Sequence, residues 1–364
     1  MRTTTNPAAF KILMATVVFF CYLFTPLLAV QYDDSLLIEQ AKRIHRKIIS
    51  FDTHNDSALK INKLNIGENV KNIQVTFPMM KQGLLDGAFF AIYIGQKSRA
   101  TDSVLIARNY VDDQLLRFKN YVESSDDASV VTSVKEIIQN KNEGRISVVL
   151  ALENGYPIGK DVGQVKRYYS MGVRAITLCH NLNNDICDSS MDSIAEHKGL
   201  SEFGYRLVEE MNSLGMIIDV SHASSETLSD ILKVTALPVI ASHSGAYSLK
   251  NHKRNLRDNE IKAIASAGGL IQVASGKFFL SGKPKEEVTV KDLADHIDHI
   301  RAVAGIEHIG LGTDFDGGGG VVGMEDASKM ISLTVELLKR GYTQRDLELF
   351  WGGNLIRILK IHFM

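Results

Sequence analysis

Apolar residues fall into two patterns along this chain. The first is a set of short, nearly unbroken runs: IISFD (48–52), GAFFAIYI (87–94), ISVVLAL (146–152), AITLCH (175–180), GMIIDVSH (215–222), PVIASH (238–243), GLIQVAS (269–275) and HIGLGTDFD (308–316). Continuous apolar runs of this length predict strands buried on both faces. The second is a set of amphipathic stretches that predict helices over 35–48, 103–124, 199–215, 224–235, 259–268, 290–305 and 324–341. Gly215, Gly268, Gly305 and Gly341 each follow the last apolar residue of a stretch, the usual helix stop. Alternation of strands and helices predicts a parallel sheet. Eight strand units without a dinucleotide fingerprint predict a single closed (β/α)8 barrel, the TIM barrel, over residues 31–364. No internal repeat or Pro/Ser-rich linker divides it. The glycines at 317–320 form a loop after the last strand, flexible or merely tight.

The N-terminus stands apart. Arg2 and Lys11 precede an apolar run from Ile12 to Val30, with Pro26 and the small residue Ala29 near its end. This predicts a secretory signal peptide over residues 1–30, cleaved near Ala29. The run is slightly long, so an uncleaved anchor through residues 12–30 is the alternative. The expected location is therefore exported, periplasmic or secreted, or else membrane-anchored. Cys21 lies mid-run, away from a lipoprotein-type position, and only Cys179 and Cys187 remain. These two either pair or stay as small free thiols, and no cysteine-rich zinc pattern is present. Basic and acidic residues number 41 and 42 and are dispersed, which argues against a nucleic-acid partner.

Most side chains able to hold a metal end the apolar runs. His54 and Asp56 follow the first, Glu153 closes the third and His180 the fourth, and His222 and His243 close the next two. Asp314 lies in the last. On parallel strands of one barrel such ends converge at the C-terminal rim. His54 and Asp56, two apart in an extended segment, project to one side and can grip one ion. A carboxylate at the end of an apolar run must be paired, protonated or metal-bound, and Glu153 is read as a bridge between two metals. Imidazole with carboxylate suits zinc, with manganese, cobalt and iron open. Asp314 is a ligand or a general acid–base, and His180 a group that polarises a carbonyl. His45, His197, His252, His296, His299, His308 and His362 fall in helical or loop stretches and are read as surface residues. No nucleophile elbow, P-loop or H-E-x-x-H is present, so the set fits a metal-bound hydroxide as nucleophile.

Taken together, DTHND (52–56), ALENG (151–155), ITLCHN (176–181), GLSEFGYRLVEEMNSLGMIIDVSH (199–222), PVIASHSGAYSLKNHKRNLRD (238–258), HIGLGTDFDG (308–317) and WGGNLIRIL (351–359) resemble the membrane dipeptidase (renal dipeptidase) family of zinc dipeptidases. The resemblance implies two zinc ions, one held by His54 and Asp56, the other by His222 and His243, with Glu153 bridging. It implies that His180 stabilises the oxyanion and that Arg254 binds the terminal carboxylate of a dipeptide substrate. Asp314 would contact the free amine and relay a proton. Arg suits a carboxylate because its fork binds both oxygens, and Arg257 is the nearest rival for that role. The family also implies tolerance of a D-residue at the C-terminal position, and its members are often dimers. A binuclear hydrolase of cyclic amides, lactams or lactones is the alternative. Two departures from the family pattern bear on the pocket: Asn154 where many relatives have glycine, and Ser275-Gly276-Lys277 where many place an Asn–aromatic segment. The chain ends at IHFM, without the apolar tail of a GPI signal.

Overall fold

The computed structural model describes Met1, residues 34–68 and residues 71–363. Apart from Met1, the predicted signal segment lies outside the described residues. Among the described residues, nine strands form one parallel sheet: β1 (Phe51–Asn55), β2 (Gly87–Tyr93), β3 (Ala128–Val130), β4 (Ile146–Glu153), β5 (Val173–Thr177), β6 (Ile217–Asp219), β7 (Ile240–Ser244), β8 (Leu270–Val273) and β9 (Ile309–Leu311). The order is β1-β2-β4-β5-β6-β7-β8-β9, with β3 paired to the start of β4 outside this path. The chain after β9 closes the ring against β1. Asp314 N–H donates to the His54 carbonyl at 3.0 Å, and Asp56 N–H donates to Phe315 at 2.8 Å. The eight predicted runs are thus the eight staves of a TIM barrel. The short β3 was not predicted, because ASV has no apolar run to reveal it.

Strand parity separates the two packing zones. Along β4, Val149 and Ala151 join Phe51, Phe89, Ala175, Ile217, Ile240 and Leu270 in one buried cluster. Residues from strands all round the ring meet only in its interior. Leu355, Ile358 and Leu359, on the helix Asn354–His362, pack into the same cluster. Val148, Leu150 and Leu152 face the other way, into the layer shared with the surrounding helices. Each of these side chains contributes roughly 1.5–3 kcal/mol on burial. Both faces of the strands are covered, which is why their sequences do not alternate.

The helices begin and end where the sequence signals them. Ser201 Oγ accepts from Gly204 N–H at 2.9 Å to cap the helix Glu202–Leu214. Gly215 ends that helix at φ 71°, and a Cβ there would meet the His362 carbonyl oxygen at 2.2 Å. The predicted helix over 324–341 is shorter. Asp326 Oδ1 accepts from Ser328 N–H at 2.9 Å and holds a 3-10 turn, so regular helix runs only over Ile331–Lys339.

Three histidines read as surface residues are buried instead. His45 lies between the Leu84 carbonyl (3.1 Å) and Thr334 Oγ1 (2.7 Å). His296 accepts from Ala246 N–H at 2.9 Å and donates to the Leu280 carbonyl at 3.0 Å. His362 lies between the carbonyls of Gly215 (3.2 Å) and Pro238 (2.9 Å). His296 falls on the same helix stripe as buried Leu293, Ile297 and Ile300, a position the apolar period marks even though the residue is polar.

Candidate metal centre and active site

The parity that sends Val149 and Ala151 inward sends Glu153 into the barrel mouth. Its carboxylate sits between two groups of side chains. Oε2 lies 3.6 Å from His54 Nε2, which is also 3.6 Å from Asp56 Oδ2. Oε1 lies 3.3 Å from His222 Nε2, 3.7 Å from His243 Nε2 and 3.8 Å from His180 Nε2. One oxygen therefore faces each group.

Parity alone does not aim the other side chains of the mouth. The strand register slips between Asp52 and Asn55, and again between Ala241 and Ser244. Thr53 and Ser242 hydrogen-bond across the interior, while His54 and His243 turn upward beside them, a re-aiming typical of bulges at barrel rims. Four residues of the mouth adopt the left-handed region without being glycine: Asn154 (φ 82°), His222 (φ 68°), Asp314 (φ 60°) and Asp316 (φ 66°). Such conformations cost of order 1–3 kcal/mol each and gather at functional sites. The backbone at 154 explains why glycine suits this position, and Asn is among the few alternatives. Its Nδ2 donates to the Ile94 carbonyl at 2.9 Å.

Hydrogen bonds fix the histidine tautomers. His222 Nδ1 donates to Asn181 Oδ1 at 3.1 Å, which leaves a lone pair on Nε2. Ser242 Oγ donates to Asp219 Oδ2 at 2.6 Å and so accepts from His243 Nδ1 at 2.8 Å, leaving Nε2 unprotonated there too. The two Nε2 atoms lie 3.0 Å apart, lone pair to lone pair. His54 Nε2 and Asp56 Oδ1 are buried without a hydrogen-bond partner among the described residues. Such a donor set fits a cation at each group. Asp219 also lies near His54 and His243. It is spent on Thr177 Oγ1 (2.6 Å), Ser242 Oγ (2.6 Å), Ser221 N–H (3.0 Å) and Ser242 N–H (2.9 Å), so it positions rather than ligates. Asp52 likewise ties Thr313 N–H (2.7 Å) and Oγ1 (2.6 Å) to the strand bearing His54. Both carboxylates interrupt apolar runs, IISFD and GMIIDVSH, and that interruption was the available signal for them.

The electrostatics are those of a crowded anionic site. Burial, then the charge of Glu153, pushes Asp56 up to about 6. Burial and Asp56 hold Asp314 well above the carboxylate range. Burial favours a neutral His54, but Glu153 and Asp56 outweigh it and push its pKa well above normal. Burial, reinforced by Arg254, holds His180 down at about 4 and His222 well below its ordinary value. His243 is also held well below, by burial and then His54.

Above the carboxylates opens a cavity of about 870 Å³, lined by Asp56, Glu153, His180, His222, His243, Arg254 and Asp314. His54 completes the set from beneath, so all eight predicted site residues come together. Arg254 is buried; its Nη2 donates to the His243 carbonyl at 3.2 Å and its Nε has no partner among the described residues. Arg257, the rival, is exposed and lies over the Tyr247 ring at 4.4 Å, away from this cavity. The Asp314 carbonyl accepts from the amides of Gly317, Gly318 and Gly319 at 3.1, 3.1 and 2.7 Å, so the glycine loop is tight. A Cβ at Gly317 would strike Asp56 Oδ2 at 2.1 Å. The sequence did not reveal Tyr93, Lys60, Lys250 or Phe279 as lining residues. Ser275-Gly276-Lys277 leads into a short helix, Lys277–Leu280, which brings Phe278 and Phe279 to the cavity wall. Cys179 and Cys187 are free thiols, both buried, and Cys179 Sγ donates to the His222 carbonyl at 3.7 Å.

A model of the family described as membrane dipeptidase (peptidase family M19) matches residues 38–362. An uncharacterized dipeptidase of Schizosaccharomyces pombe is 35% identical over 344 residues, covering 87% of this chain and 80% of that protein. Dipeptidase aclJ of Aspergillus oryzae is 34% identical over 293 residues, covering 79% of this chain and 69% of its own. Among solved structures, the probable dipeptidase PvdM of Pseudomonas aeruginosa superposes with a TM-score of 0.83 at 27% identity, covering 91% of this chain and 99% of that one.

Proposed function

This chain belongs to the membrane dipeptidase family and is a metal-dependent peptide hydrolase, and we propose that it cleaves dipeptides with two zinc ions. The observation that carries the reading is Glu153, with one carboxylate oxygen toward His54 and Asp56 and the other toward His222 and His243. Those four side chains would hold the two ions and Glu153 would touch both. Bound there, the ions lower the pKa of a water and polarise the scissile carbonyl. The chain's own groups do the rest. Arg254, a buried guanidinium, takes the substrate's terminal carboxylate. Asp314, which lines the same cavity, takes the free amine and passes a proton to the leaving nitrogen. His180, held neutral by burial and Arg254, presents an N–H to the developing oxyanion.

Two charged anchors favour a substrate with a free amine and a free carboxylate, which a simple lactam or lactone lacks. A D-residue at the C-terminal position is accepted, a reading supported by the family and by a cavity of about 870 Å³. Export rests on the N-terminal apolar run; among the described residues no helix is long and apolar enough to cross a membrane. Metal analysis with assays on Ala-Ala and Gly-D-Ala tests the proposal. Zinc-loaded protein that turns over no dipeptide in a broad panel sinks it.

A further inference from the structure

Four cationic side chains other than histidine line the cavity: Lys60, Lys250, Arg254 and Lys283. Lys60 is paired with buried Asp316 at 2.6 Å, and Lys283 with Asp292 at 2.6 Å. Arg254 and Lys250 have no carboxylate partner among the described residues. A dipeptide brings one carboxylate, and Arg254 takes it. Lys250 is left facing the same cavity with no counter-charge.

We propose that Lys250 binds a second anionic group on the substrate, the side-chain carboxylate of an aspartyl or glutamyl residue at the C-terminal position. This inference rests on the dipeptidase reading and names the substrate class within it.

The placement of Lys250 supports the assignment. It shares a loop with Arg254, four residues apart, and both side chains line the same cavity. Asn255 Nδ2 donates to the Lys250 carbonyl at 2.9 Å and to the Phe279 carbonyl at 2.7 Å, which locks this loop to the wall formed after β8. The ammonium reaches across to that wall, since a Cβ on Gly282 would lie 3.5 Å from Lys250 Nζ. The Phe279 ring stands by both neighbours in the loop, 5.6 Å from the Arg254 guanidinium carbon and 5.0 Å from the His252 ring. It offers an apolar surface for side-chain methylenes running from one cation toward the other. Asp56, Asp314 and Asp316 also line the cavity, and Asp314 is the group that takes the substrate's amine in this reading. An anionic side chain beside these carboxylates meets like charge, so the preference falls on the C-terminal residue and not the N-terminal one.

The test compares kcat/KM of the zinc-loaded enzyme for Ala-Ala, Ala-Asp, Ala-Glu and Ala-Lys, with the C-terminal residue in L and D forms. Wild type should favour Ala-Asp or Ala-Glu over Ala-Ala by roughly ten-fold, the scale of one charge contact. Raising ionic strength should shrink that ratio. In Lys250→Gln the ratio should fall to about one, and Lys250→Glu should turn the preference toward Ala-Lys. The inference is overturned if wild type handles acidic dipeptides no better than Ala-Ala, or if Lys250→Gln keeps the full ratio. Turnover of Ala-Ala without an acidic preference defeats this inference alone. Absence of turnover on every dipeptide defeats the dipeptidase reading, and this one with it.

Discussion

His54, His222 and His243 at the barrel mouth are as buried as His45, His296 and His362 in its body. The two groups differ in what their second ring nitrogen meets. In the body each nitrogen faces a carbonyl, an amide or a hydroxyl. At the mouth one nitrogen of His222 and of His243 is anchored, and the other points at its neighbour's lone pair. Burial therefore does not mark a metal ligand. A buried nitrogen with its tautomer fixed and its lone pair unanswered marks a candidate ligand.

The sharpest way to break this comparison lies at the mouth, with a residue that is not a ligand in this reading. Asp314→Asn should keep the metal and the fold while turnover falls by ~10²–10⁴-fold, the scale of acid–base catalysis. Metal analysis beside kcat checks it, and loss of zinc in that variant would make Asp314 a ligand.

In the body, the imidazole of His45 is held by burial at a pKa of about 4. A histidine with a depressed folded pKa stabilises above its unfolded value near 6.5, and that stability drains as pH falls toward 4. The stability difference between wild type and His45→Gln should therefore shrink by about 3 kcal/mol across that window. Urea unfolding at several pH values measures it. A difference independent of pH would show that His45 does not titrate in the fold.

The smallest effect concerns the anchors. Asn181→Ala frees the tautomer of His222 and Ser242→Ala frees that of His243. Each should weaken zinc binding by about 10–100-fold, read by chelator competition. A change confined to stability would reduce both anchors to packing.

Much of this was legible in the chain. Eight apolar runs announced eight staves, and the residues ending them announced the rim. Glu153 was the most readable, because it continues the inward parity of Val149 and Ala151 within one strand. The surface reading failed for His45, His296 and His362, because a polar residue on a helix stripe looks the same whether it faces water or a backbone carbonyl. Arg254 ends no strand, and only the family resemblance pointed to it before the loop was seen folded over the cavity.

By itself, the sequence determined the eight staves and the identities of the residues at their ends, since apolar period and strand parity are properties of neighbouring residues. Tertiary structure decided the rest. The slips that lift His54 and His243 arise where β1 and β7 pair with their neighbours. The proton on His243 is set by Asp219 through Ser242, in a strand 23 residues away. The free charge of Lys250 is apparent only beside Lys60, whose carboxylate partner Asp316 lies 256 residues away. Each depends on partners distant in sequence, and only folding brings those partners together.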